Sequence, residues 1–90
     1  MEPEVKKFSE LMQAKLNKNK NKPCPVMNPE GEGRTWKGCS TEWLMFRLQQ
    51  EFDELKKAIK EAESPQQIAN ECADVANFSM FIADINGGLR

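Results

Sequence analysis

Histidine and tyrosine are absent from this sequence of 90 residues, and cysteine occurs only three times. Without histidine, the chain cannot activate a nucleophile through an imidazole, and it cannot hold a metal ion by imidazole nitrogens. The cysteines are odd in number and form no CxxC pair, so neither a disulfide framework nor a zinc site of the usual kind is indicated. A metal ion would therefore have to be held mainly by oxygen atoms.

Long apolar runs and an excess of basic charge are also missing. No run of 18 apolar residues occurs, which predicts that no segment spans a membrane. No apolar leader follows Met1, which favours a cytoplasmic location. The formal net charge of −1 argues against a general nucleic-acid-binding protein, because such proteins are usually strongly basic. The length fits one small domain, residues 1–90, with a limited core.

The first part of the chain predicts one helix and a long loop. Residues 3–18 have apolar side chains at steps of three and four, which is typical of a helix with one apolar stripe. Residues 19–38 are rich in proline and glycine, which indicates an irregular loop. A loop of this length in a small domain often has a function.

The rest of the chain predicts two further helices and no strand. A second helix, capped by Ser40 or Thr41, should run to about residue 62. Its apolar stripe consists of Leu44, Leu48, Phe52, Leu55 and Ile59. A third helix should begin at the Ser64-Pro65 restart signal and run to residue 85 before two glycines.

The third helix is apolar on nearly all sides, which is typical of a helix that is buried on several sides. Three helices of one short chain can hardly cover it, so packing against another subunit is expected. The predicted fold class is all-α: a helical hairpin plus an N-terminal helix, assembling into four-helix-type bundles by oligomerisation.

Two pairs of acids lie on the predicted hairpin. Glu51 and Glu54 are three residues apart on the second helix, and Glu71 and Asp74 are three apart on the third. This spacing places each pair on one helix face. In an antiparallel hairpin, facing positions have a constant sum of residue numbers. Residues 51 and 74 share that sum with residues 54 and 71, so all four carboxylates should lie at one level.

Desolvated carboxylates at one level would repel each other strongly. Raised pKa values or a bound divalent cation would relieve this repulsion. Oxygen ligands suit Mg²⁺, or alternatively Mn²⁺, with phosphate oxygens and waters completing the coordination. The pattern therefore predicts metal-assisted chemistry on a phosphorylated substrate. Solvated acids, or acids in purely structural ion pairs, are the alternative.

The order of these motifs resembles the MazG-like family of all-α nucleoside triphosphate pyrophosphohydrolases. E-x-x-E is followed, after 16 intervening residues, by E-x-x-D. The string ECADVANFSMFIAD is similar to the second-motif helix of small single-domain members. The segments FSELMQAKLNKNK and RLQQEFDELKKAI and the tryptophan between them, Trp36, have a similar order and spacing. The likeness covers nearly the whole chain, although residues 23–33 form an insertion that many short relatives lack.

The resemblance implies a Mg²⁺-dependent enzyme that hydrolyses (d)NTPs to the monophosphate and pyrophosphate, for house-cleaning or control of nucleotide pools. It also implies a homo-oligomer, dimer or tetramer, with sites near subunit interfaces. The resemblance implies that one of the acids orients the attacking water, but it does not indicate which acid. The metal ligands and catalytic residues that it implies are Glu51, Glu54, Glu71 and Asp74.

Three further residues are candidate contacts for the substrate. Asn77, three residues after Asp74, could bind a base or sugar, or could be an interhelical amide. Arg47, one turn before Glu51, could hold a phosphate, or could form a salt bridge with one of the acids. Trp36 could stack on a base, or could anchor the loop against the core.

Basic and amide side chains at the end of the first helix are further candidates. Lys15, Asn19 and Lys22 could reach phosphates if the loop folds over the site. A solvated basic run is the alternative.

Two other functions remain open. Phosphoribosyl-ATP pyrophosphohydrolase activity would use the same metal chemistry on a related substrate. A catalytically silent helical module for dimerisation or regulation would use the same fold without the metal.

Overall fold

A computed structural model describes residues 1–19 and 35–89 of the chain. Three α-helices, α1 (Pro3–Asn19), α2 (Thr41–Lys60) and α3 (Pro65–Ile85), are joined by a 3-10 helix, Thr35–Gly38. The prediction of an all-helical chain is confirmed, and no strand occurs within these residues. Most of the predicted loop, residues 20–34, lies outside the described residues, and its last part forms the 3-10 helix.

Serine side chains begin both helices of the hairpin. Ser40 Oγ accepts a hydrogen bond from the backbone N–H of Trp43 at 3.0 Å. Ser64 Oγ accepts one from the backbone N–H of Gln67 at 3.1 Å, with proline following at the first helical position. Each bond satisfies an N–H group that has no partner inside the helix. The helix α2 ends slightly earlier than predicted, because Ala62 adopts a left-handed φ of 53°.

The helices α2 and α3 form the predicted hairpin, and α3 also packs against α1 and the 3-10 helix. The far ends of the hairpin are joined by a hydrogen bond of 3.2 Å from Asn86 Nδ2 to Thr41 Oγ1. The helix α3 therefore lies centrally, which agrees with its apolar composition. Among the described residues, no helix is long and apolar enough to cross a membrane.

The apolar core lies where α2 begins and α3 ends. Leu44, 1% exposed, and Cys39 are its buried centre. The half-buried side chains packed around them are Trp36, Trp43, Phe78, Phe81, Ile82 and Ile85. Cys39 is disulfide-bonded, which the number and spacing of the cysteines did not predict, whereas Cys72 is a free thiol. This core holds the 3-10 helix against α3.

The side of α2 that is buried differs from the predicted apolar stripe. Leu44, Glu51 and Ala58 are the buried residues of α2. They are seven residues apart and so point in nearly the same direction. Phe52 and Ile59, which belong to the stripe, are exposed. Within a single chain, the position of α3, rather than the apolar pattern of α2 alone, determines which side of α2 is covered.

Candidate metal centre

Three of the four predicted acids meet between α2 and α3. Glu51, Glu71 and Asp74 each present a carboxylate oxygen, and these three atoms lie within 4.8 Å of one another. We call these residues the acid cluster. Glu54 is exposed and is not part of this group. Its charge nevertheless raises the pKa of both glutamates in the cluster.

Glu51 is the most deeply buried acid of the cluster, with 8% of its surface exposed. Its Oε1 accepts a hydrogen bond from Arg47 Nη2 at 2.9 Å. Its Oε2 is buried and has no donor among the described residues. Two ionised carboxylates cannot hydrogen-bond to each other, so this oxygen requires a proton shared with Glu54, a water molecule or a cation.

The electrostatic surroundings of Glu51 favour its protonated form. Burial is the main cause that raises its pKa from 4.5 to about 7. A shared hydrogen bond with Glu54 and the charges of Glu54 and Asp74 act in the same direction, while Arg47 opposes them. The raised pKa shows that the negative charge at this position is only partly compensated by the chain's own groups.

Glu71 has a similar arrangement with a different partner. Its Oε1 accepts a hydrogen bond from Gln67 Nε2 at 2.8 Å, while its Oε2 is buried without a donor among the described residues. Burial raises the pKa of Glu71, and the charges of Glu54 and Asp74 add to this effect. The hydrogen bond from Gln67 and the charge of Lys15 lower it.

Asp74 is paired with a basic residue of α1. Lys15 Nζ lies 3.2 Å from Asp74 Oδ2, and the two side chains are 19% and 18% exposed. The salt bridge is thus largely shielded from water, so salt in solution screens it less than a surface pair. It joins α1 directly to the acid cluster.

The acid cluster fits a divalent metal ion. Its donors are carboxylate oxygens, which suit Mg²⁺ and Mn²⁺. Two of these glutamates each have a buried oxygen that no donor in the described part of the chain satisfies. Such oxygens are costly in a folded protein unless a partner reaches them. A divalent ion would supply that partner and compensate the charge.

Arg47 is held in place by three neighbours. Besides its salt bridge with Glu51, it donates a hydrogen bond to Gln50, and its guanidinium lies 5.0 Å from the ring centre of Phe78. The structure thus shows the salt bridge that the sequence left as an alternative. A direct role for Arg47 with phosphate stays a prediction.

Asn77 and Trp36 have contacts within the fold. Asn77 is 4% exposed, and its Nδ2 donates to the carbonyl of Met12 at 3.1 Å, although its Oδ1 is buried without a donor among the described residues. Trp36 stacks on Phe81 at 4.6 Å and donates to Asp84 at 2.9 Å. Asn77 therefore has the contacts of an interhelical amide, and Trp36 has those of a residue that anchors the 3-10 helix against α3. Substrate binding by either residue stays a prediction.

Two candidates from the predicted loop region cannot be placed. Lys22 lies outside the described residues, and so does the side chain of Asn19, the last residue of α1. Their assignment to the substrate therefore stays a prediction.

Sequence reasoning missed Gln67 and Asp84. Gln67 lies four residues before Glu71, a spacing that brings helical side chains together, and this signal could have identified it. Asp84 accepts hydrogen bonds from Trp36 and from Lys37 Nζ, the latter at 2.6 Å. These contacts join positions more than 40 residues apart, for which no local pattern exists.

Comparison with known proteins gives one informative relative. An uncharacterised protein of Archaeoglobus fulgidus is 38% identical over 78 residues, which cover 87% of this chain and 76% of the archaeal protein. No protein-family model matches the sequence, and no solved structure matches the chain.

Proposed function

The chain belongs to the same family as this archaeal protein, whose name assigns no chemistry, and we propose its function from the acid cluster. The protein is a Mg²⁺-dependent nucleoside triphosphate pyrophosphohydrolase that acts on (d)NTPs, with Mn²⁺ as an alternative metal. Its role is to cleanse or control nucleotide pools, and a cytoplasmic location fits that role.

One observation carries the proposal. Three acids from two helices are brought within 4.8 Å, and two of them keep a buried oxygen without a donor among the described residues. Buried polar atoms in folded proteins usually have a partner, so two such oxygens side by side indicate a partner that the described residues do not supply. The resemblance of the E-x-x-E and E-x-x-D helices to those of the MazG-like family also supports the proposed pyrophosphohydrolase activity.

The proposed reaction is the hydrolysis of one phosphoanhydride bond of the nucleoside triphosphate. Water adds to one phosphorus of the α–β phosphoanhydride as the bond from that phosphorus to the bridging oxygen breaks. The products are a nucleoside monophosphate, pyrophosphate and one proton. When bound, the divalent ion supplies charge neutralisation and activation of water. Glu51, Glu71 and Asp74 hold the ion, and any of these acids or Glu54 could accept the proton from water.

The basic side chains around the acid cluster match a negatively charged substrate. Arg47 lies beside Glu51, and Lys15 lies beside Asp74. Both basic side chains contact an acid of the cluster, so both adjoin the proposed metal site. They would offset phosphate charge that the metal leaves uncompensated.

We also propose that the protein is a homo-oligomer. Large apolar side chains of α2 are exposed in the single chain: Met45, Phe46, Phe52 and Ile59. A groove of about 290 Å³ beside them is lined in part by Phe52, Leu48 and Val75. Exposed apolar surface of this kind is typical of a subunit interface. A second copy would cover it and complete a four-helix bundle.

The decisive experiment is a substrate panel. The protein is incubated with each (d)NTP and with phosphoribosyl-ATP in the presence of Mg²⁺, and monophosphate and pyrophosphate are measured. We expect turnover of at least one (d)NTP, which Asp74→Asn abolishes. Asp53→Asn is the matched control, because Asp53 is an exposed acid of α2 whose partner is Gln49. Turnover of phosphoribosyl-ATP alone would redirect the proposal, and no turnover by folded protein would remove it.

Thermal unfolding separates the enzyme from a silent helical module. Ions that bind only the folded state raise the melting temperature by mass action. We expect Mg²⁺ or Mn²⁺ to raise it for the native protein and for Asp53→Asn, but not for Asp74→Asn. Equal curves with and without metal would favour the silent module.

Sedimentation measures the oligomeric state. We expect the native protein to sediment as a dimer or tetramer and Phe52→Ser to shift towards the monomer. Gln66→Ala, a change at an exposed residue of α3 outside this groove, should leave the assembly intact. A native protein that stays monomeric at high concentration would contradict the oligomer.

A further inference from the structure

One turn of α1 is attached to α3 at two points. Lys15 Nζ contacts Asp74 Oδ2 at 3.2 Å, and Asn77 Nδ2 donates to the carbonyl of Met12 at 3.1 Å. Met12 and Lys15 are three residues apart on α1, as Asp74 and Asn77 are on α3. The same turn of α1 is therefore held against the same turn of α3, and one of the two contacts uses an acid of the cluster.

The ammonium group of Lys15 and a divalent ion would compete for Asp74. An ammonium offers only donors, so it can bind Asp74 only through the carboxylate oxygens that a metal ion would also use. An ion within the acid cluster would lie a few ångströms from the ammonium, where like charges repel. The long, flexible side chain of lysine allows the ammonium to move away while α1 stays in place.

The charges around the cluster favour such an exchange. The four acids, Glu54 included, and the two basic side chains leave two net negative charges, which one divalent ion balances. Glu51 Oε2, deeply buried and without a donor in the described ranges, shows that Lys15 and Arg47 do not satisfy the cluster completely. A triphosphate that binds with the metal adds further negative charge. The displaced ammonium group of Lys15 is then available to neutralise part of that charge.

We propose that Lys15 is an exchangeable counter-cation: it neutralises Asp74 in the metal-free protein, yields Asp74 to the metal, and then binds the phosphate chain of the substrate. This inference rests on the proposed function for its substrate. The first half, exchange with the metal, does not require that the protein hydrolyse anything.

Calorimetric titration with Mn²⁺ alone tests the first half. Lys15→Met removes the charge but keeps a similar length, so it should bind Mn²⁺ about three- to tenfold more tightly than the native protein. Lys15→Arg restores a cation and should return the affinity towards the native value. Lys18→Met, at an exposed lysine of the same helix, should leave it unchanged. Lys15→Gln serves as the second uncharged variant if circular dichroism shows that Lys15→Met has lost helix.

Steady-state kinetics tests the second half. Lys15→Met should raise the KM for the nucleotide by about tenfold or more, because a charge-assisted contact to phosphate is lost, with a smaller effect on kcat. Lys15→Arg should recover most of this loss, which a purely structural role would not require.

The outcomes separate the two proposals. Unchanged or weaker Mn²⁺ binding by the uncharged variants overturns the exchange, and an unchanged KM overturns the phosphate contact. A native protein that binds Mn²⁺ but hydrolyses no nucleotide overturns the proposed function and the phosphate contact, while the Mn²⁺ titration still decides the exchange. A native protein that binds no Mn²⁺ overturns both proposals.

Discussion

Asp84 and Glu51 are two carboxylates that are buried to nearly the same extent, 7% and 8% exposed, but they have different surroundings. Asp84 accepts hydrogen bonds from Trp36 and Lys37 at the apolar end of the hairpin. Glu51 accepts a hydrogen bond from Arg47 at one oxygen, and its other oxygen is buried without a donor among the described residues. The first residue has the contacts of a fold-stabilising acid, and the second those of a ligand.

The comparison shows why burial alone does not identify a functional acid. A buried charge is tolerated when donors and opposite charges surround it. Asp84 meets this condition by holding the 3-10 helix against α3. Glu51 meets it only in part, and the acids beside it make its charge more costly. The incomplete compensation, rather than the burial, indicates that a cation belongs there.

Replacement of Glu51 or Asp84 by its amide should have opposite consequences for metal binding, and the loss of activity in the Glu51 variant is the largest effect that we expect. Glu51→Gln should lower activity by more than about 100-fold, because even partners that only support a metal ligand are worth 10- to 100-fold. It should also abolish the rise in melting temperature that Mn²⁺ causes. Asp84→Asn should leave that rise in place, because Asp84 lies ten residues further along α3 than Asp74, a distance of about 15 Å.

Stability should separate the same two variants in the absence of metal. Glu51→Gln removes a poorly compensated charge and should raise the free energy of unfolding by about 1–2 kcal/mol near neutral pH. Asp84→Asn weakens two hydrogen bonds to a charged acceptor and should lower it by about 2 kcal/mol. Urea unfolding at one fixed protein concentration measures both. Equal losses of stability in the two variants would contradict the distinction.

The pH dependence of the metal-free protein is a second, smaller test. The pKa of Glu51 is raised from 4.5 to about 7 in the folded protein. Between these values the folded state binds more protons than the unfolded chain, so stability falls as pH rises through this window. We expect a loss of about 1–3 kcal/mol in the free energy of unfolding. The raised pKa of Glu71 acts with the same sign.

Glu51→Gln is the control for the pH test, because it removes the titrating group and should flatten the curve between about pH 4.5 and 7. Saturating Mg²⁺ should flatten it as well. Parallel curves for the native protein and Glu51→Gln would show that Glu51 is not the group responsible.

The smallest effect concerns two neighbouring glutamines of α3. Gln67 Nε2 donates to Glu71 Oε1, whereas Gln66 Nε2 makes the equivalent bond, four residues along the helix, to Asn70. Gln67→Ala should weaken Mn²⁺ binding by about tenfold, because it removes the bond that orients a metal ligand. Gln66→Ala should leave it unchanged. Calorimetry with Mn²⁺ compares them, and equal affinities would mean that Gln67 does not support the site.

Part of this arrangement could be predicted from the sequence alone. The periodicity of apolar residues and the serine caps predicted the three helices, including the start of α3 at Pro65. Acid spacing on a predicted hairpin placed Glu51, Glu71 and Asp74 at one level, and the structure brings them together. These features depend on residues a few positions apart or on one short turn, so local geometry is sufficient.

Other features were decided only by the tertiary structure. The direction in which α2 faces α3 buries Glu51, leaves Glu54 exposed and leaves Phe52 outside the core. The pairing of Lys15 with Asp74 and of Trp36 with Asp84 joins residues that are far apart in the chain. Such contacts depend on how whole helices pack against each other, and the residue pattern of a single helix does not determine that packing.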